Sequence, residues 1–293
     1  MIRQTSRLLA STALIMLSLG LIPVSAETSE ADSLLPIGLT EDEKLRLDEI
    51  GIAHRNTAAP TGLIRNPAEW EPSVGVIIRW PLGIGLSLVA DMSDDLMVTT
   101  IVSGSSQQSA AMSAYTSSGV NMANVQFLIA PTNSIWTRDY GPWFIFEDEQ
   151  LAIVDPVYNR PRPLDDVIPQ TLGAEWGLTV YGMNLITPGG NYMSDGLGHA
   201  MSTKLVYLEN PSLTHAEVDS TILVNLGNVY TVLDYTESGG IHHLDCWAKF
   251  LNPSTILVKD VPASSYSYSL LNDRANYLSQ KISAWGQPYT IVR

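Results

Sequence analysis

Four glycines set the frame of this chain. Gly119, Gly177, Gly227 and Gly286 each end a helix-like run and precede a β-rich run, at intervals of 58, 50 and 59 residues. A period near 50 predicts a repeated supersecondary unit that buries its apolar face only by stacking on its neighbours. The helix-like runs are SQQSAAMSAYTSSG, DDVIPQTLGAEWG, LTHAEVDSTILVNLG and SYSLLNDRANYLSQKISAWG, each closing on a glycine suited to a left-handed cap. Between them VGVIIRW, MVTTIVSG, VQFLIA, FIF, LAIVDPVY, LTVYGM, KLVYLE, VYTVLDY, STILVKDV and YTIVR read as strands, from their β-branched and aromatic content. The expected class is α/β. Two module ends even match, AEWGLTVYG at 174–182 and SAWGQPYTIV at 283–292.

Each of the first three glycines is followed by a loop bearing an acidic residue: Asp139 lies 20 residues past Gly119, Asp195 lies 18 past Gly177, and Asp245 lies 18 past Gly227. The same rule places a fourth hairpin beyond Arg293, so the last module is expected to be incomplete.

Residues 1–26, MIRQTSRLLASTALIMLSLGLIPVSA, carry a basic start, an apolar run and a small-residue cleavage pattern, as a secretory signal peptide does. The mature chain is expected to be secreted or periplasmic and not membrane-embedded. Residues 27–58 read as a mobile leader with at most a short helix, and residues 59–293 as the folded domain. A net charge of -14 argues against a nucleic-acid partner, which needs a basic footprint. One cysteine, Cys246, leaves no internal disulfide.

Several stretches could carry chemistry. SIWTRDYGPWF (134–144) sets Arg138 and Asp139 among Trp136, Tyr140 and Trp143. A carboxylate backed by Trp136 suits a planar cation; a plain Arg138–Asp139 pairing at a turn is the alternative. TPGGNYMSDGLGHA (187–200) reads as a hairpin presenting Asp195, because no GK[ST] follows and the next run is β-rich. YNRPRP (158–163) would point Arg160 and Arg162 the same way, as a carboxylate clamp or as solvated arginines. GGIHHLDCW (239–247) reads as a strand, whose alternation puts Ile241, His243, Asp245 and Trp247 on one face and His242, Leu244 and Cys246 on the other. His243 and Asp245 would then act together, with Cys246 behind them. A metal at this H-x-D pair lacks an evident third ligand, since His54, His199 and His215 lie in unrelated contexts.

Together WTRDYGPWF, GGNYMSDGLG and GGIHHLDCW, opened by NPAEWEPSVGVIIRWP, resemble the bacterial-type peptidylarginine deiminase and agmatine deiminase family of the guanidino-group-modifying (pentein) superfamily. The resemblance covers about residues 66–293. It implies an α/β propeller of ββαβ modules and hydrolysis of a guanidinium to a ureido group and ammonia, with no cofactor and no metal. By the same resemblance Asp139 and Asp245 hold the guanidinium, His243 is the acid/base, and Trp136, Asp195 and Ile241 lie on the substrate side. Arg160 and Arg162 match positions that grip the carboxylate of a C-terminal arginine, which favours an arginine peptide, with citrulline as product. Agmatine, hydrolysed in putrescine biosynthesis, is the alternative small guanidino substrate. The family's nucleophilic cysteine lies beyond the fourth hairpin, so the chain is expected to lack it, with Cys246 no substitute. A non-catalytic guanidino-binding protein and a metal-dependent amidohydrolase stay open as readings from other classes.

Overall fold

The computed structural model describes residues 35–236 and 240–293. The expected signal peptide and the first part of the leader lie outside the described residues, as does Gly239.

Local sequence signals build a repeat that is visible in the sheets. Strands β2 (Gly75–Arg79), β3 (Met97–Val102) and β4 (Val125–Ile129) form a parallel sheet, crossed over by helices α1 (Leu86–Asp95) and α2 (Ser105–Ser117). The next module begins with the antiparallel hairpin β5 (Trp143–Glu147) and β6 (Gln150–Val157). It passes through α3 (Pro163–Asp166) and α4 (Ile168–Trp176) and adds β7 (Thr179–Ile186) parallel to β6; β1 (Ile64–Arg65) pairs on the outer side of β5. The third repeats this plan with β8 (Met193–Ser194), β9 (His199–Thr203), α5 (Leu205–Glu209), α6 (His215–Leu226) and β10 (Val229–Leu233). The fourth uses β11 (Ala248–Asn252), β12 (Thr255–Val258), α7 (Tyr268–Ser279) and β13 (Thr290–Val292). Three of the four sheets are thus ββαβ units, and the first is βαβαβ.

The closing glycines behave as expected at three of the four helix ends: Gly119, at φ 78°, follows the Ser118 cap of α2, with Val120 N donating to Tyr115 O (3.1 Å). Gly177 and Gly227 cap α4 and α6 at φ 66° and 71°, a conformation that costs a residue with a Cβ but not glycine. Helix α7 instead stops at Ser279, and Gly286 serves a separate turn before β13. KLVYLE is not a strand: Val206 is buried on α5, and Asn210 Nδ2 donates to the carbonyls of Val206 and Ile186, tying the helix end to β7. Alternating apolar residues were read as a strand there because the short run alone does not distinguish the two periods.

Each module's helix is packed on the sheet before it as well as on its own. Val218, Ile222 and Leu226, four apart on α6, are buried with Ile145, Val154, Met183 and Leu185 of the preceding sheet. Ile168 and Leu172 of α4 are likewise buried with Ile101 and Leu128, and Leu271 and Leu278 of α7 with Met193, Met201 and Leu233. Such shared cores fix the angle between neighbouring modules. The links between modules are therefore held in place at one end of the sheets.

Residues 35–58, the described part of the expected leader, lie against the folded domain. They run across the second module: Thr57 N donates to Gly182 O, and the Gly182 backbone lies against Arg55 too closely for any side chain at 182. Thr40 and Glu43 form a reciprocal cap, Thr40 N donating to Glu43 Oε2 (2.8 Å) and Glu43 N to Thr40 Oγ1 (3.2 Å). No helix among the described residues is long and apolar enough to cross a membrane.

Candidate active site

Three inter-module links meet. The first, between β4 and β5, contains a single helical turn, Thr137–Tyr140, that carries Asp139. Its approach is pinned by Asp165, whose carboxylate accepts from Asn133 N (2.7 Å), Ser134 N (3.1 Å) and Ser134 Oγ (2.7 Å). The second, between β7 and β8, is the tight turn Gly189–Asn191. The third, between β10 and β11, brings His243, followed by a 3-10 turn over Leu244–Cys246. Thr203 N donates to Asn191 Oδ1 (3.1 Å) and Thr203 Oγ1 to His242 O (2.7 Å), which ties the second link to the third. His242 itself sits at φ 59°, a rare backbone state for a residue with a Cβ, with its ring stacked on Tyr235 at 4.1 Å. That turn directs His243 inward.

The meeting point lies over Gly190. His243 Nδ1 is 3.3 Å from Asp139 Oδ1, which also accepts from Gly190 N (3.3 Å). A Cβ placed on Gly190 would stand 2.7 Å from His243 Nδ1, 2.8 Å from Asp139 Oδ1 and 2.9 Å from Asp245 Oδ2. Two carboxylates and an imidazole thus converge on one small space that only a glycine leaves open. Asp139 and His243 are buried, and His243 Nε2 has no partner among the described residues. Burial pushes the Asp245 carboxyl up, opposed mainly by Arg138 and then by His243. Arg138, Nε 3.7 Å from Asp245 Oδ2, lies at the rim, where Glu69 bridges it to Lys249.

Such an arrangement can accept a planar cation. Paired carboxylates accept the parallel N–H bonds of a guanidinium, and the imidazole beside them can pass a proton. Among the described residues no group of three His, Cys, Asp or Glu is arranged to hold a metal ion.

The sequence model of the Porphyromonas-type peptidyl-arginine deiminase family matches residues 65–293. The chain belongs to this family. Membership places it among the deiminases, hydrolases of guanidino C–N bonds. A Legionella pneumophila protein named "Putative agmatine deiminase" is 26% identical over 273 residues, with 80% of this chain and 75% of that protein covered. Among solved structures, agmatine deiminase of Enterococcus faecalis superposes with a TM-score of 0.70 at 20% identity, covering 81% of this chain and 73% of that one. A C. jejuni C315S agmatine deiminase with substrate bound does so with a TM-score of 0.65 at 20% identity, covering 81% and 76%. The four-sheet arrangement is thus the α/β propeller type of the pentein deiminases.

The space over Gly190 brings together Asp139, His243 and Asp245, apart from other residues named from the sequence. Asp195 is turned into its own hairpin, where Oδ1 accepts from Leu197 N (2.8 Å) and His199 N (2.9 Å). It shapes β8–β9; the second link contributes Gly190 instead. Ile241 is half-buried on the irregular approach to His243. Residues 240–247 are not a strand, so their side chains do not alternate, and Leu244 is buried beside His243. Cys246 is exposed and hydrogen-bonds to the Asp245 carboxylate, rather than lying on the opposite face.

The arginine pair is engaged elsewhere. Arg162 is buried, its Nε donating to Glu43 Oε1 (2.6 Å) and its Nη2 to Glu43 Oε2 (3.2 Å), Pro36 O (2.8 Å) and Gly38 O (3.2 Å). Arg160 Nε donates to Ile37 O (3.2 Å), and Trp136 Nε1 to Leu35 O (2.9 Å). Neither arginine is a free clamp, because backbone carbonyls and a carboxylate of residues 35–43 already meet them.

Buried carboxylates surround the site. Burial raises Asp155 and Glu209 to about 7 and Asp165 to about 6, against the hydrogen bonds from Gln170, Asn159 and Ser134 respectively. His54, 3.9 Å from Asp155, is pushed down by burial, so that contact is not an ion pair at neutral pH. A carboxyl that holds its proton longer in the native state than in the unfolded chain loses stability as pH rises from its unfolded value through its folded one. For Asp155 that window runs from 3.8 to about 7. Asp155→Asn is therefore expected to melt about 5–10 °C above the parent at pH 8, with a clearly smaller difference at pH 4.5. Equal differences at the two pH values would contradict this assignment; thermal melts by circular dichroism measure it.

Proposed function

We propose that this protein is a guanidine deiminase whose site takes the guanidinium of an arginine side chain or of an arginine-derived amine such as agmatine. The reading is carried by the convergence of His243 Nδ1, Asp139 Oδ1 and Asp245 Oδ2, 2.7, 2.8 and 2.9 Å from one point over Gly190. A guanidinium spreads one charge over a plane edged with N–H donors, and two carboxylates fix both its position and its tilt. Each charge-assisted hydrogen bond contributes on the order of 1.5–3 kcal/mol. His243 gives a proton to departing ammonia and takes one from the water that completes the ureido product.

Deimination by covalent catalysis also requires a thiolate facing the guanidinium carbon. Cys246 is the single cysteine of the 293 residues. Its thiol bonds to the Asp245 carboxylate, and an anionic neighbour stabilises the neutral thiol, the reverse of what activates a nucleophile. We place Cys246 outside the chemistry, so these 293 residues supply the binding carboxylates and the acid/base His243 but not the thiolate that deimination needs.

Titration calorimetry with agmatine and with Nα-acetylargininamide tests the binding half, alongside an ammonia-release assay. Asp139→Asn is expected to weaken both ligands by at least about 100-fold, from the loss of charge-assisted bonds. Cys246→Ala is expected to change neither binding nor ammonia release by more than about twofold. Undiminished binding in Asp139→Asn would remove the guanidinium assignment, and loss of ammonia release in Cys246→Ala would make Cys246 the nucleophile.

A further inference from the structure

Residues 35–43 meet the substrate-side residues with unusual completeness. Within this short run, Leu35 O accepts from Trp136, Ile37 O from Arg160, Pro36 O and Gly38 O from Arg162, and the Glu43 carboxylate takes the Nε/Nη2 edge of Arg162. Arg162 and Glu43 are both fully buried, with side-chain exposures of 1% and 2%. The pair is linked to the guanidinium-holding groups through Tyr158, four residues before Arg162, whose ring packs edge-on at 5.8 Å against Tyr140, the residue after Asp139.

We propose that Glu43 is an internal carboxylate ligand of Arg162 and a specificity-determining residue, closing the arginine pair against substrates that carry a carboxylate beside the guanidino chain. The proposal rests on the guanidino reading above and names the substrate class within it: alkylguanidines whose far end is an amine or an amide. Glu43 fills the Nε/Nη2 edge of the Arg162 fork, where a carboxylate is held by two parallel bonds, and leaves Nη1 without a partner among the described residues. An incoming carboxylate must displace Glu43 to take that edge, and Glu43 is tethered and so competes at an effective concentration in the millimolar range or higher. A ligand present at micromolar concentration loses that competition. Three buried atoms here have no hydrogen-bond partner among the described residues: Arg162 Nη1, on a guanidinium whose charge Glu43 already meets, and the oxygens Glu209 Oε2 and Asn159 Oδ1. Acceptors favour an ammonium or an amide N–H at the far end of the ligand and disfavour a carboxylate.

Nα-acetylarginine and Nα-acetylargininamide differ only in that carboxylate, and agmatine lacks it. In the parent protein the amide is expected to bind at least as tightly as the acid by calorimetry. Glu43→Gln keeps an acceptor for Arg162 but removes the competing charge, and is expected to shift the acid-to-amide preference at least tenfold toward the acid. Arg162→Gln added to Glu43→Gln is expected to abolish the shift. A parent that already prefers the acid tenfold, or a preference unmoved in Glu43→Gln while all three ligands bind, overturns the role of Glu43 alone. No binding by any of the three, agmatine included, removes the guanidino reading and this proposal with it. Should Glu43→Gln fail to fold, amide exchange on the parent decides. Saturating Nα-acetylarginine is expected to speed exchange across residues 35–45 as it displaces Glu43, and agmatine to leave it unchanged. Equal protection with both ligands bound overturns the proposal.

Discussion

Gly190→Ala lowers affinity for agmatine by at least about 100-fold while the chain stays folded. The magnitude follows from what the added methyl meets: three polar atoms at 2.7, 2.8 and 2.9 Å, from His243, Asp139 and Asp245, all inside carbon–heteroatom contact distance. They must move apart to admit it, and the space where a guanidinium would lie is filled. Losing two charge-assisted hydrogen bonds corresponds to about 3–6 kcal/mol, or roughly two to four decades in affinity. The backbone at 190 is not in the left-handed region, so alanine adds no conformational strain there and the variant isolates the loss of space. Overpacking costs about 1–3 kcal/mol in stability, a shift of a few degrees in the thermal midpoint. Calorimetry with agmatine beside a thermal melt checks both halves; a folded variant that binds within tenfold of the parent refutes the convergence as the ligand site.

The second large effect concerns folding. Arg162→Leu is expected to destabilise the protein by about 3–5 kcal/mol, because it strands a buried carboxylate that has lost its cation. In a domain of this size that is on the order of 10 °C in the midpoint. Arg162 also donates to Pro36 O and Gly38 O, so the variant releases residues 35–43 from the second module. The double variant Glu43→Leu/Arg162→Leu is expected to recover most of the loss, since exchanging a buried ion pair for apolar residues is often close to neutral. Denaturant unfolding of parent, two single variants and the double variant forms the cycle. Additive losses in the double variant would mean that the two residues act independently and that the contact contributes little.

Much of the site was legible before any fold was known. Asp139, His243 and Asp245 stand in stretches where charged groups are crowded among aromatics and glycines, an arrangement that neither strands nor helices need. The same criterion also picked out Asp195, which lies apart from that convergence with its Oδ1 bonded by the backbone of its own turn. It also passed over Gly190, which carries no functional group and matters for the room it leaves. Strand alternation failed at GGIHHLDCW because a 3-10 turn interrupts the extended backbone.

What the sequence by itself determined is the module and its repetition. Helix caps, β-branched runs and turn glycines act over a few residues, and their order alone yields ββαβ units with chemistry in the links between them. Only the tertiary structure decided which link residues meet. Glu43 and Arg162 are 119 positions apart, and Gly190 lies 51 from Asp139. Such meetings depend on the angle at which one module packs on the next. Shared cores such as the one joining α6 to the preceding sheet set that angle, and no local propensity encodes it. The arginine pair shows the consequence: two residues apart in a motif that could grip a carboxylate, they are bound instead by residues 35–43.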